Sequence, residues 1–311
     1  MQKVDVMVPL YKPGQELYAL LEGLSKQTVP VNRIYLVNTE RAYYDAVVGK
    51  KTIEDLYGDK VVVTHISKEE FDHGNTRHQA TVQSDADVFV MMTQDALPAG
   101  TQLIEKLLEA LQDEEVAVAY ARQLPAADCN TIERYTRKFN YPDKSRVKSL
   151  EDLNTLGIKT YFCSNVCAAY KKDIYEKMGG FVRRTVFNED MIYAAGAIKQ
   201  GYKVAYVAEA EVYHSHNYTN KQQFKRNFDL GASQAEHPEV FRNVPSEKEG
   251  AKMVSDTTVY LLKHKFWLLP YFYIQCFCKY AGYFLGKRYK KLPGWMIKRC
   301  AMSPGYFKDL T

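Results

Sequence analysis

Between Val4 and Arg122, short apolar runs alternate with helical patterns, and this rhythm constrains the fold more than any other feature of the chain. VDVMVPL is followed by a helix from Gln15 to Lys26, RIYLVN by one near Ala42 to Tyr57, and VVVTHIS by one near Gly74 to Gln83. DVFVMMTQD then precedes a helix from Thr101 to Leu111 and the run VAVAYAR. Alternation of this kind specifies an α/β fold with a mostly parallel, doubly wound sheet flanked by helices. The unbroken apolar stretch from Val88 to Met92 suits a central strand covered on both faces, with Pro98 and Gly100 turning the chain after it. Sheets of this type bind ligands beyond the carboxyl ends of their strands. Tyr11, Asn38, Asp72 and Asp95 all lie at or just past such ends.

At 311 residues the chain can form one large α/β domain with an appendage, or two small domains. Its charge is uneven. From Thr258 onward ten Lys or Arg stand against one acid, so the preceding residues hold 32 bases and 36 acids. Six cysteines, at 129, 163, 167, 276, 278 and 300, show neither the paired spacing of a zinc site nor the density of a disulfide scaffold, and read as reduced thiols. The opening MQKVDVMVPLYKPG is too short and too polar to be the apolar core of a signal peptide. A cytoplasmic location is therefore expected.

From about Cys129 the rhythm changes to a tyrosine-rich polar stretch, then YFCSNVCAAYKK, a turn at Gly179 and Gly180, a helix opening at FNEDM, and the strand KVAYVAEAEVYHS. This half reads as a second-substrate site built onto a nucleotide-binding half, with no Pro-, Gly- or Ser-rich linker between them. Further on, FWLLPYFYIQCFC carries no charge over thirteen residues, short of the roughly 20 that span a bilayer as a helix. Aromatic rings among Lys and Arg suit an interfacial anchor on an anionic membrane. The same rings would equally pack on the domain or in a homodimer. The basic tail contains no nucleic-acid-binding module.

VMVPLYKPG, FDHGNTRHQA, TQDALP and FNEDM stand in an order that resembles family 2 glycosyltransferases of the Rossmann-like GT-A fold, from Val4 to about Gly231. The FDHG-x-TR form is similar in particular to rhamnosyltransferases of cell-surface polysaccharide synthesis. The resemblance implies that Pro9 and Tyr11 meet the nucleotide base, and it places Asn38, in VNTE, where the family usually shows an acid for base or ribose. Asp72, Gly74 and Arg77 are assigned to the donor. Gly74 would permit close backbone approach and Arg77 would offer a forked cation to the diphosphate. Where most members carry Asp-x-Asp for Mg²⁺ or Mn²⁺, this chain has Gln94, Asp95 and Ala96, so one carboxylate leaves positions of a hard cation for water or another side chain.

In FNEDM the resemblance makes Asp190 the general base of inverting transfer, with Glu189 as its companion. A late histidine often completes the metal site in GT-A enzymes, which implies His216, with His214 as second choice; period two puts both on one side of an extended segment. Gln223 and Arg226 satisfy Gln-x-x-Arg, but Asn227 stands where processive synthases have Trp, so a single-addition enzyme is expected, with Arg226 at the donor. Plainer uses exist for each feature: a turn-forming Asp, a solvated Arg, and acids placed in a first helical turn by the helix dipole.

The expected organisation is a GT-A domain over 1–235, with a nucleotide-sugar half (1–125) and an acceptor half (126–235), and a helical membrane-proximal or dimerisation extension over 236–311. The implied reaction moves L-rhamnose from dTDP-β-L-rhamnose to a hydroxyl of a lipid-linked glycan, at the inner face of the plasma membrane. Transfer from a UDP-sugar, or a non-catalytic scaffold built on the same fold, are the alternatives.

Overall fold

The structure is a computed structural model that describes residues 2–48, 53–244 and 247–310. Nine strands form one sheet: β1 (Val4–Tyr11), β2 (Arg33–Thr39), β3 (Val61–Ile66), β4 (Val88–Met92), β5 (Leu97–Pro98), β6 (Val116–Leu124), β7 (Arg146–Lys148), β8 (Cys167–Lys171) and β9 (Lys203–Tyr213). Their order is β3-β2-β1-β4-β8-β6-β9-β5, with β7 also paired to β9. β1, β2, β3 and β4 are parallel, and β6 runs parallel to β9. Because the chain steps outward from β1 to β3 and then returns to β4 on the other side of β1, the reversal of strand order falls between β1 and β4. A crevice opens at such a reversal.

Every residue of β4 is fully buried, as its apolar run requires for a strand covered on both faces. The sheet is mostly parallel, as the strand and helix rhythm leads one to expect. β8, from the second half of the chain, inserts antiparallel between β4 and β6. Reversal has a consequence for placement: the amino end of β8 lies at the same sheet edge as the carboxyl ends of its neighbours. Pro98, expected to turn the chain with Gly100, also pairs with Val212 of β9, and Leu97 before it pairs with Tyr213. The helix expected near 42–57 is observed as Arg41–Val48 and Ile53–Tyr57; residues 49–52 lie outside the described residues.

The C-terminal segments pack as helices onto the second half. Helix Leu269–Gly286 begins with Pro270 in its first turn, where a missing N–H costs no hydrogen bond. It lies so close to helix Asn220–Glu236 that a Cβ on Gly282 or Gly286 would come within 2.1 Å of the carbonyl oxygens of Phe224 or Phe228. Asp229 fastens the last stretch of chain to the same helix by accepting from the amides of Met302 (3.1 Å) and Ser303 (2.8 Å). No helix among the described residues is long and apolar enough to cross a membrane. All six cysteines are free.

Candidate active site and metal centre

Five strand ends converge at one edge of the sheet: the carboxyl ends of β1, β4, β6 and β9 and the amino end of β8. Gln94, just past β4, accepts from the Tyr11 amide (2.9 Å) and donates to the Tyr11 carbonyl (3.1 Å), tying the two sides of the crevice together. Next to it Asp95 faces the segment that leaves β9. Its Oδ2 lies 3.3 Å from Nε2 of His216 and 3.5 Å from Nε2 of His214. Period two in HSH therefore brings both rings to one carboxylate, and the second-choice histidine stands beside the first.

The tautomer of His214 can be read from its other nitrogen. Nδ1 lies 3.0 Å from Oε1 of Gln123, an oxygen that also accepts from the Arg137 guanidinium, while Gln123 Nε2 donates to Ser164 Oγ at 2.9 Å. Nδ1 must carry the proton, so a neutral ring offers its Nε2 lone pair to Asp95. A carboxylate and facing lone pairs need a positive charge between them, which a proton or a metal ion supplies. Burial works to raise the Asp95 carboxyl, but where protons fill that space the His214 hydrogen bond and the positive charge of the imidazoles hold it well below the usual range. Burial, reinforced by His214, pushes His216 down to about 4, leaving it neutral and able to ligate near neutral pH.

These three residues are the cluster among the described ones that could hold a metal, their ligand atoms all lying within 4.8 Å of one another. Adjacent ligands of an octahedral Mg²⁺-sized ion sit about 3 Å apart, so the observed separations fit after small closure. One carboxylate and two imidazoles, with Gln123 orienting one ring from behind, form a coherent donor set.

The second constellation is built around Asn165, which the antiparallel β8 delivers to this edge. Its amide donates to Asp190 Oδ2 (2.9 Å), its Nδ2 to Glu189 Oε1 (3.1 Å), and its Oδ1 accepts from Tyr170 (2.7 Å). Asp190 and Glu189 open helix Glu189–Lys199 immediately after Asn188, a non-glycine residue at φ 65°. The two carboxylates differ in surroundings. Glu189 is buried and its Oε1 lies 3.2 Å from Nε of Arg77, itself buried. Burial would raise Glu189, but Arg77, with His73 and Asn165, holds it below the usual range. Burial and the neighbouring Glu189 charge push half-buried Asp190 up, against the two backbone N–H groups from Asn165 and Met191. Carboxylates pushed apart in this way divide into a fixed charge and a proton acceptor.

Other residues singled out from the sequence take varied positions. Asp72 caps helix His73–Val82, accepting from Gly74 (2.8 Å) and Asn75 (2.9 Å). A Cβ on Gly74 would sit 1.8 Å from the Val182 carbonyl oxygen, so the close approach there is made by the protein's own backbone. Arg77, assigned from the resemblance to a diphosphate, turns instead to Glu189 and to the His73 carbonyl (2.9 Å). Asn38 is buried beside His65 (3.1 Å), Pro9 is half-buried in β1, and Tyr11 is exposed at its end, edge-on to Tyr43. Arg226 remains exposed, its guanidinium 4.6 Å over Phe187 and 5.7 Å over Tyr218, which stacks on His216. Asn165, Gln123 and Arg137 were not legible as site residues. The one available signal was the polar pair Ser164–Asn165 inside the apolar run YFCSNVCAAY. A cavity of about 910 Å³ lies at the opposite sheet edge, beside Asp87, Lys171 and Glu176, away from this chemistry.

The architecture is that of the GT-A glycosyltransferases. A mannosyltransferase from Pyrobaculum calidifontis, in complex with GDP-Man and Mn²⁺, superposes with a TM-score of 0.59 at 13% identity over 92% of this chain and 87% of that one. S. aureus TarS 1-349 gives 0.55 at 14% identity over 96% and 83%. Residues 5–179 match Glycosyl transferase family 2, and the chain belongs to that family as a glycosyltransferase. It is similar, at 35% identity over 99% of this chain and 97% of the relative, to the O-antigen chain rhamnosyltransferase RfbN of Salmonella typhimurium strain LT2. The O-antigen chain rhamnosyltransferase WbaN of Salmonella anatum is 34% identical over 100% and 97%.

Proposed function

We propose that the protein is an inverting rhamnosyltransferase of O-antigen synthesis, moving L-rhamnose from dTDP-β-L-rhamnose to a sugar hydroxyl of a lipid-linked glycan. Similarity along the whole chain to two O-antigen rhamnosyltransferases carries the sugar and the pathway class. The divided pair at 189 and 190 carries the mechanism. Asp190 accepts the proton of the acceptor hydroxyl as that oxygen attacks the anomeric carbon, on the face opposite the departing nucleoside diphosphate. Glu189, fixed by Arg77 and Asn165, keeps Asp190 basic enough for the task. The exposed Arg226 guanidinium offers charge to the donor diphosphate. Mn²⁺ or Mg²⁺ held by Asp95, His216 and His214 would stabilise negative charge on the leaving group, and the two imidazoles favour Mn²⁺ over the harder Mg²⁺.

A donor panel tests this reading: purified protein with an O-antigen-type acceptor is expected to release dTDP from dTDP-rhamnose and little UDP from UDP-hexoses. Preferential UDP release would transfer the assignment to a UDP-sugar enzyme, and no release from any donor would support the scaffold alternative.

Residues 1–235 would then form the catalytic domain and 236–311 a membrane-proximal extension, holding the enzyme at the cytoplasmic face of the membrane. Phe266, Trp267, Phe277, Tyr280 and Trp295 are each at least 60% exposed. Tyr280 also lines a cavity of about 610 Å³ with Phe284 and four cations, Lys287, Arg288, Lys290 and Lys291, against one acid, Glu247. Rings and cations in this arrangement suit an anionic lipid interface. Trp267→Ser/Phe277→Ser is expected to weaken binding to anionic vesicles by about tenfold or more, since each ring forfeits apolar burial. Undiminished vesicle binding, with a change in oligomeric mass, would reassign the rings to a dimer interface.

A further inference from the structure

The inner face of helix Leu269–Gly286 contains a charge that its packing does not explain. Phe272, Gln275, Gly282 and Gly286 are buried, and with Lys279 they complete a spacing of three, four, three and four residues, the signature of one helix face laid against a neighbour. Lys279 is the one charged member of that seam. It is half-buried, and its ammonium makes no hydrogen bond and no ion pair among the described residues. Partial desolvation without a partner is unfavourable, and burial pushes the Lys279 ammonium below its usual range.

Its neighbourhood is the catalytic cleft. The contacts of Gly282 with Phe224 and of Gly286 with Phe228 set the two helices running in the same direction. Lys279, one turn earlier, therefore lies toward the start of helix Asn220–Glu236, next to the segment that carries His216 and Tyr218. Glu133, Arg137 and Arg226 lie within electrostatic range of Lys279, and both arginines, with Asp95, lie within range of His216, so these groups share one neighbourhood. Glu133, the acid that acts most strongly on Lys279, is already paired to Arg137 at 2.7 Å. Arg226 rests on aromatic rings and has no carboxylate partner among the described residues. Three cations, Arg137, Arg226 and Lys279, thus face two acids, Glu133 and Asp95; with Arg137 paired and Arg226 serving the donor, Lys279 is the cation left without a contact partner among the described residues.

We propose that Lys279 is a substrate-binding cation supplied to the cleft by the C-terminal extension, and that it takes the diphosphate joining the acceptor sugar to its lipid. The assignment rests on the acceptor being lipid-linked, and the geometry of the helix favours that anion over the donor's. Phe277, Tyr280 and Phe284 are exposed on other faces of the same helix. A helix with its side chains is about 10 Å across, so Lys279 stands about one helix diameter inside the surface proposed to meet lipid. A diphosphate that joins a glycan to its lipid would lie in that interval, between the lipid and the reacting sugar.

Two measurements on the full chain test the subsite. Inorganic pyrophosphate, titrated with metal chelated, is expected to bind Lys279→Met about tenfold or more weakly than wild type, the effect of losing one charge-assisted contact, with Lys279→Arg close to wild type. Equal affinity in Lys279→Met and wild type overturns the subsite, whatever the acceptor proves to be. In steady-state assays Lys279→Met is expected to raise KM for a lipid-diphosphate glycan by a similar factor and to leave unchanged both KM for the donor and KM for an uncharged alkyl glycoside of the same sugar. A rise confined to the donor KM overturns the acceptor assignment. Should wild type prefer the uncharged glycoside, the lipid-linked acceptor reading falls, and the pyrophosphate titration still decides the role of Lys279.

Discussion

Asp190→Asn is expected to lower kcat by about 10³-fold, within the range for loss of a positioned general base, while KM for the nucleotide sugar changes by less than about twofold. Asparagine keeps the shape and one acceptor oxygen for the Asn165 or Met191 amide, but it cannot take a proton from the acceptor hydroxyl. The pH profile separates this role from a merely structural one. Burial and the Glu189 charge raise the Asp190 carboxyl, and the base works only when deprotonated. Wild-type kcat should therefore fall as pH is lowered through a value clearly above the ordinary aspartate range of about 4. The residual activity of Asp190→Asn should lack that limb. Turnover at the wild-type rate in Asp190→Asn would remove the residue from the mechanism.

How much of the fold and site was legible in the sequence depends on the range over which each residue acts. The strand and helix rhythm of the first half is local, since period and punctuation lie within a few residues of one another, and β1 to β4 appear where it placed them. HSH and FNEDM were legible for the same reason: two histidines at period two or two acids at a helix start constrain their own geometry. Asn165 is different. It reaches Glu189 and Asp190 because β8 runs antiparallel between β4 and β6, a pairing between residues about 80 positions apart that no local pattern encodes. Gln123 and Arg137 act through His214, and their part emerges only when β6 and β9 lie side by side. Arg77 shows the converse. Its residue type suits a phosphate, and the fold sets it against Glu189, where it holds the charge of the carboxylate next to Asp190.

Removal of metal is expected to reduce activity by at least about 10²-fold, the scale of losing a preorganised charge at a leaving group, with recovery on adding Mn²⁺ and, less completely, Mg²⁺. Only one carboxylate serves the site, so both imidazoles should matter to binding. Mn²⁺ affinity, read by paramagnetic resonance of the free ion, should fall in Asp95→Ala, His214→Ala and His216→Ala alike. Gln123→Leu touches none of the ligands' donor atoms but releases the Nδ1 proton of His214 from its acceptor, and second-sphere losses of this kind cost about 10- to 100-fold in affinity. The pH dependence has a definite sign. A neutral His216 can ligate and a protonated one cannot, and burial with His214 pushes its pKa to about 4. Contributions from His216 should therefore persist through pH 6 and be lost as pH approaches 4, below the range near 6.5 at which an ordinary histidine would already fail. Full turnover in chelator would leave Asp95 and its two histidines a hydrogen-bonding role, with Arg226 as the cation assigned to the donor diphosphate.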